Sequence, residues 1–254
     1  MTSFKHIATD LTHLIFGSRA VIESILAGQP IEKVFLQSSK WQTPLTKELY
    51  TLIRQHAIPY TYLPVAKFKQ WINKNHQGVV AIRSPIVFSV VEHVVQASYE
   101  KGELPLLVVL DGVSDVHNVG AIARTAACMG VHALVLPTQG SASITAVAMK
   151  TSAGALATLP VCRTANLSHT LAYLQAAGLT IIACHEKAAQ PLCQVDLTSP
   201  VALILGDEAM GIAAKHLTHA LHQVSIPIQG PIASLNVSVA AGMLLYEVLR
   251  QRNR

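Results

Sequence analysis

Charge is scarce in this chain of 254 residues. Asp, Glu, Lys and Arg together make up 13% of it and hydrophobic residues 51%, where soluble domains usually carry roughly 25% charge. Disorder needs the opposite balance, and a coiled coil needs regular flanking charges, so both are excluded. Aromatic residues are few, at 5%. The four cysteines (Cys128, Cys162, Cys184, Cys193) form no C-x-x-C pair, which excludes a zinc ribbon and a disulfide framework and leaves them as expected small buried hydrophobes. The stretch from His216 to Tyr246 has no charged residue, yet Pro227, Gln229, Pro231, Ser234 and Asn236 break it. No run of about 18 apolar residues remains, so no membrane span is expected. The opening residues, with Lys5, His6 and Asp10, lack the apolar core of a signal peptide, and a cytoplasmic protein is expected. Dinucleotide, P-loop, nucleophile-elbow and H-E-x-x-H fingerprints are also missing.

The length allows one large domain or two ordinary ones. Residues 1–104 hold 11 Lys+Arg against 7 Asp+Glu, and residues 105–254 hold 8 against 7. The excess of positive charge therefore lies in the first part and suits a polyanionic partner. That part alternates helical and strand patterns. A helix is expected over 17–27, a strand over 31–36, a helix opened by Thr43 and Pro44, a strand over 60–63, a helix after Pro64 and a strand over 78–82. This reads as a small α/β domain over 1–91. The polar stretch 92–105 reads as a linker. Residues 106–254 show short aliphatic runs at 106–110, 132–136, 180–183, 201–205 and 224–228, with helices expected over 118–129, 168–177, 213–221 and 235–250. Runs without alternation fit strands covered on both faces, hence a mostly parallel sheet. In such folds ligands sit at the carboxyl ends of strands, here just after Leu110, Leu205 and Ile228.

Each of those strand ends carries an unusual loop, and each has a plain structural reading. Asn118 could simply cap a helix on which Arg124 is an exposed residue. Asp207 and Glu208 between Gly206 and Gly211 could form a turn, and Ser234 could be an N-cap. His216, His219 and His222 drift around a helix at a spacing of three and have no carboxylates near them in sequence, so no metal site is expected.

Taken together, "NVGAIARTA" at 118–126, "LILGDEAMG" at 203–211 and "IPIQGPIASLNVSVAAG" at 226–242 resemble, in order and spacing, the three motifs of the SpoU (TrmH-like) branch of the SPOUT RNA methyltransferases. The first module, with "HQGVVA" at 76–81, is similar to the L30e-like RNA-binding domain that precedes the catalytic domain in bacterial 23S rRNA guanosine 2′-O-methyltransferases. The resemblance implies a knotted α/β catalytic domain (a deep trefoil) with a mostly parallel sheet, a homodimer, and S-adenosylmethionine held in the knot. It also implies ribose 2′-O-methylation of RNA, with 23S rRNA favoured over tRNA by the first module. A non-catalytic RNA-binding protein of the same fold is the reading from a different class, and the intact polar positions oppose it. By position, the resemblance assigns Gly206, Ile226, Ile228 and Leu235 to the cofactor. Asn118, Arg124, Glu208, Ser234 and Asn236 fall at the polar active-site positions. Val116, Ala209 and Ile228 depart from the residues common in the family at loop positions, and none removes a polar group. Arg19, Lys67, Lys69 and Arg83 are candidate RNA contacts by charge.

Overall fold

A computed structural model of the chain describes residues 13–38, 43–71, 73–207 and 209–253. The chain divides into two compact units between Val87 and Phe88.

In the first unit, β1 (Leu14–Phe16), α1 (Ser18–Leu26), β2 (Ile31–Gln37), α2 (Pro44–Gln55), β3 (Tyr60–Leu63), α3 (Val65–Phe68) and β4 (Val79–Arg83) follow one another. The sheet runs in the order β1-β4-β2-β3; β4 is antiparallel to both of its neighbours, and β3 is an edge strand parallel to β2. The start of α2 follows from its residues. The Thr43 hydroxyl accepts the Thr46 N–H, the Thr46 hydroxyl accepts the Thr43 N–H, and Pro44 fills the first turn, where no N–H is needed. The helices bury Val21, Ile25, Leu49 and Ile53 against Val34 and Leu36. On the opposite face, Phe35, Phe68 and Trp71 form a separate aromatic core. Each fully buried side chain of this kind is worth about 1.5–3 kcal/mol. The strand β1 carries no sequence signal beyond three apolar residues.

The second unit contains α4 (Val91–Glu100), β5 (Leu106–Asp111), α5 (Val116–Cys128), β6 (Ala133–Pro137), α6 (Ala146–Thr151), β7 (Val161–Thr164), α7 (Leu167–Ala176), β8 (Thr180–Cys184), β9 (Gln190–Pro191), β10 (Val201–Gly206), α8 (Ala214–Leu217), β11 (His222–Ser225) and α9 (Val237–Arg252). The sheet order is β7-β6-β5-β10-β8-β11-β9, and every pairing in it is parallel. The central strands are buried along their length, as runs without alternation require.

Several expectations are corrected. The expected linker over 92–105 is largely α4, because Val91 and Val95 lie one turn apart and bury into the core of the second unit. The last sheet strand ends at Ser225 instead of running from 224 to 228. The helix expected over 213–221 keeps only four residues. Cys128 and Cys193 are exposed, Cys184 is intermediate, and Cys162 alone of the four is buried. Ile72, within the helix expected after Pro64, lies outside the described residues.

Candidate functional site

Parallel register brings four strand ends to one edge. Gly206 of β10 pairs with Asp111 of β5, Leu205 pairs with Cys184 of β8, and Cys184 pairs with Val224 of β11. A recess opens there, and its lining includes Gly206, Ile226, Ile228, Ser234 and Leu235. The structure thus brings together five of the residues that the sequence singled out, from two loops twenty residues apart.

Local chemistry holds the first loop in place. A Cβ on Gly206 would sit 2.3 Å from the Gly211 carbonyl carbon and 2.5 Å from the Ile212 nitrogen, so at this position only glycine lets the returning loop close on the strand. Asp207 makes the turn. Its Oδ1 accepts the N–H groups of Ala209 and Met210 at 2.9 and 3.0 Å, and its carbonyl accepts the Gly211 N–H at 2.8 Å. Gly211 then adopts a positive φ of 68°. Glu208 lies outside the described residues.

Asn118 and Asn236 are drawn to each other. The Asn236 side-chain amide donates to the Asn118 Oδ1 at 3.0 Å, which ties the first motif to the third. Asn236 caps α9, accepting the Ser238 N–H at 2.9 Å. The N-cap of α5 is Asp115, which accepts the His117 N–H. These two residues take the capping roles that the plain readings gave to Ser234 and Asn118. Arg124 stands six residues after Asn118, and the helix has by then turned to a different face. Its side chain is exposed and lies outside the lining of the recess.

The residue that sequence reasoning missed is Asp111. Its Oδ2 accepts the Ala213 N–H at 2.8 Å and pairs with the His216 Nδ1 at 2.7 Å, and its carbonyl accepts the Asp207 N–H at 3.1 Å. Both side chains are almost fully buried. One residue therefore fastens both ends of the loop from 207 to 216. No local pattern signals a pair separated by 105 positions. The three spaced histidines turn to three different partners: His216 to Asp111, His219 to Gln175 and His222 to Gln190. Among the described residues, no group of three or more His, Cys, Asp or Glu could hold a metal ion, and no helix is long and apolar enough to cross a membrane.

The lining combines apolar and acidic groups. Leu205, Ile212, Ile226 and Leu235 supply an apolar wall for a flat ring, and Glu186 and Asp207 supply negative charge. Burial, reinforced by Glu186, pushes the Cys184 thiol up to about 12. It stays protonated at neutral pH and is a poor nucleophile.

The charge-selected residues of the first unit do not form one patch. All four are exposed. Register puts Arg19, which follows β1, and Lys67 and Lys69, which follow β3, at the end of the sheet where Phe16, Val80 and Gln37 lie. Arg83 closes the far end of β4, opposite Ile31.

Comparison with known proteins adds to this geometry. The SpoU rRNA Methylase family matches residues 105–246, and the family described as RNA 2′-O ribose methyltransferase substrate binding matches residues 14–86. The 23S rRNA (guanosine-2′-O-)-methyltransferase RlmB of Yersinia pestis is 36% identical over 248 residues, covering 95% of this chain and 98% of that protein. A crystal structure of an RNA 2′-O ribose methyltransferase matches with a TM-score of 0.56 at 27% identity, over 95% of this chain and 89% of that one. The SpoU methyltransferase AviRb of Streptomyces viridochromogenes, in complex with the cofactor AdoMet, matches with a TM-score of 0.60 at 23% identity, over 94% and 90%.

Proposed function

The chain belongs to the SpoU rRNA methylase family, and on that premise we propose that it methylates the ribose of a guanosine in 23S rRNA. It is an RNA 2′-O-methyltransferase, and its cofactor is S-adenosylmethionine. The observation that carries the rRNA reading is the match of a substrate-binding family and a methylase family in series over 14–86 and 105–246, together with similarity to RlmB along nearly the whole chain. The experiment is transfer of labelled methyl groups by the full chain to 23S rRNA, 16S rRNA and tRNA, with the acceptor nucleotide mapped by primer extension. Labelling of one guanosine in 23S rRNA is expected. Labelling confined to tRNA would replace the substrate, and no labelling of any RNA would remove the reading.

Bound in the recess, S-adenosylmethionine supplies an electrophilic methyl group next to a sulfonium. The ribose 2′-oxygen would take that methyl group in line, leaving the sulfur with the bonding electrons, and the hydroxyl proton would pass to a phosphate oxygen or to water. In this reading the backbone at Gly206, Ile226 and Leu235 holds the cofactor while Ile228 closes over the adenine. Asn118 and Asn236, joined by their hydrogen bond, fix the first motif against the third, with Asn118 orienting the ribose or Arg124. Ser234 shapes the pocket wall, and Glu208 holds the loop or the arginine. Arg124 binds the adjoining phosphate and stabilises the developing alkoxide. Its exposure supports a contact made with RNA.

The same reading includes a cytoplasmic homodimer and a deep trefoil knot. Val239, Met243 and Tyr246 are 52%, 45% and 60% exposed on α9, and their spacing of four and three makes a continuous apolar stripe, which supports the homodimer. Sedimentation is expected to give twice 27.2 kDa, and a monomer at micromolar concentration would remove that part. The knot rests on membership of the SpoU family.

A further inference from the structure

Three of the six tyrosines of the chain gather at one edge of the first unit. Tyr60 and Tyr62 stand two apart on the edge strand β3 and so project from the same face. Their rings meet edge to face, with centroids 5.8 Å apart and planes at 88°. Tyr50 of α2 continues the row, 5.6 Å from Tyr60 at 75°, with the two hydroxyls 3.1 Å apart. The aromatic core of this unit lies elsewhere, in Phe35, Phe68 and Trp71. Tyr60 packs partly against the aliphatic core, whereas Tyr62, at the outer end of the row, is 46% exposed.

Cations flank the row. Lys47, Tyr50 and Arg54 recur at i, i+3 and i+7 and share one face of α2. Lys47 and Arg54 are exposed, and the Arg54 guanidinium carbon lies 6.0 Å from the Tyr50 ring centroid, within cation–π range. The one acid of α2, Glu48, lies about 100° around the helix from Lys47. Half-exposed aromatic rings beside cations, in a strip without carboxylates, match the two halves of a single-stranded nucleic acid: flat bases and anionic phosphates.

We infer that Tyr62, braced by Tyr60 and Tyr50, is a stacking platform for an unpaired RNA base, with Arg54 and Lys47 taking the adjoining phosphates. This rests on the RNA methyltransferase reading and adds to it a ligand class, unpaired bases of a loop or bulge, and the residues that would select it. An acidic protein would be drawn to the same cations but would not distinguish looped from paired RNA.

The test uses the full chain and two labelled RNAs of equal length, a hairpin with an unpaired loop drawn from 23S rRNA and a fully paired duplex. The readouts are anisotropy, and quenching of 2-aminopurine placed in the loop. Tyr62→Ala should weaken hairpin binding by about tenfold and abolish the quenching, while Tyr62→Trp, which keeps a ring face, should restore both. Duplex affinity should not change in either variant. Arg54→Gln should weaken both RNAs and flatten the dependence of binding on salt. Wild-type hairpin affinity and quenching in Tyr62→Ala, or an equal loss on both RNAs, overturns the platform. Methyl transfer to 23S rRNA and cofactor binding, measured on the same samples, keep the two readings apart: if both persist while the platform fails, only the platform is lost. Thermal melting of each variant at the wild-type temperature confirms that an exposed edge position has been changed without unfolding the unit.

Discussion

Replacing Asp111 by alanine is expected to lower stability by about 3–5 kcal/mol, the usual result of removing one member of a buried, hydrogen-bonded pair. The substitution strands the His216 Nδ1 and the Ala213 N–H together, because both are served by one carboxylate oxygen, and the His216 ring is buried. For a chain of this length the melting temperature should fall by roughly 10 °C. The damage should also reach the cofactor. The loop that Asp111 fastens carries Gly211 and Ile212 into the recess, so affinity for S-adenosylmethionine should drop with the melting temperature. Asp111→Asn should cost less, since an amide oxygen in the place of that carboxylate oxygen can still accept from both donors and only the charge is lost. His216→Phe should fall between them, leaving the carboxylate its bond to Ala213. Circular dichroism melts and calorimetric titration with S-adenosylmethionine decide the matter. An alanine variant that melts within a degree of wild type and binds cofactor equally well would show that the pair fastens nothing.

That pair marks the boundary of what one-dimensional pattern reveals. Buried parallel strands were legible because burial on both faces leaves a plain aliphatic run, and β5, β8 and β10 begin where the runs begin. The same rule misled at β11. Ile226 and Ile228 line the recess instead of pairing in the sheet, so the run of hydrophobes outlasts the strand, which ends at Ser225. The segment over 92–105 shows the converse error: Ser98, Glu100 and Lys101 suggested a linker, while Val91 and Val95, a turn apart, had already written an inward face. In the edge strand β7 only Val161 and Cys162 are apolar before Arg163 and Thr164, so no aliphatic run appears, and the two-residue β9 lacks the length to register at all. At the site, Gly206, Ile226, Ile228, Ser234 and Leu235 could be found because contiguous loops hold them. The partners Asp111 and His216 could not, since their relation exists only after β5 and β10 have paired. The tyrosine row was equally hidden, because Tyr50 and Tyr60 meet only through the packing of α2 on the edge of the sheet.

Changing Arg124 to lysine and to alanine should give rate losses of very different size, and the pattern separates two roles for the side chain. As a fixed cation that binds phosphate and stabilises a developing alkoxide, it loses its bidentate fork but keeps its charge in Arg124→Lys, so part of the methyl-transfer rate should remain. Arg124→Ala removes the charge altogether and should cost about 10²–10³ in rate, the loss usual when one preorganised donor to a developing oxyanion is deleted. Neither variant should alter cofactor affinity, because Arg124 lies outside the lining of the recess. A general-base role makes another forecast. Lysine in water gives up its proton at lower pH than arginine does, so a lysine base would release its proton more readily. The rising limb of the rate would then move to lower pH in Arg124→Lys. With a fixed cation the limb stays where the wild type has it, since the group that accepts the proton, phosphate or water, is the same in both enzymes. Single-turnover rates from pH 6 to 10 on 23S rRNA, with cofactor binding measured separately, read out the difference. A limb displaced downward in the lysine variant would assign the proton to Arg124 and end the fixed-cation role.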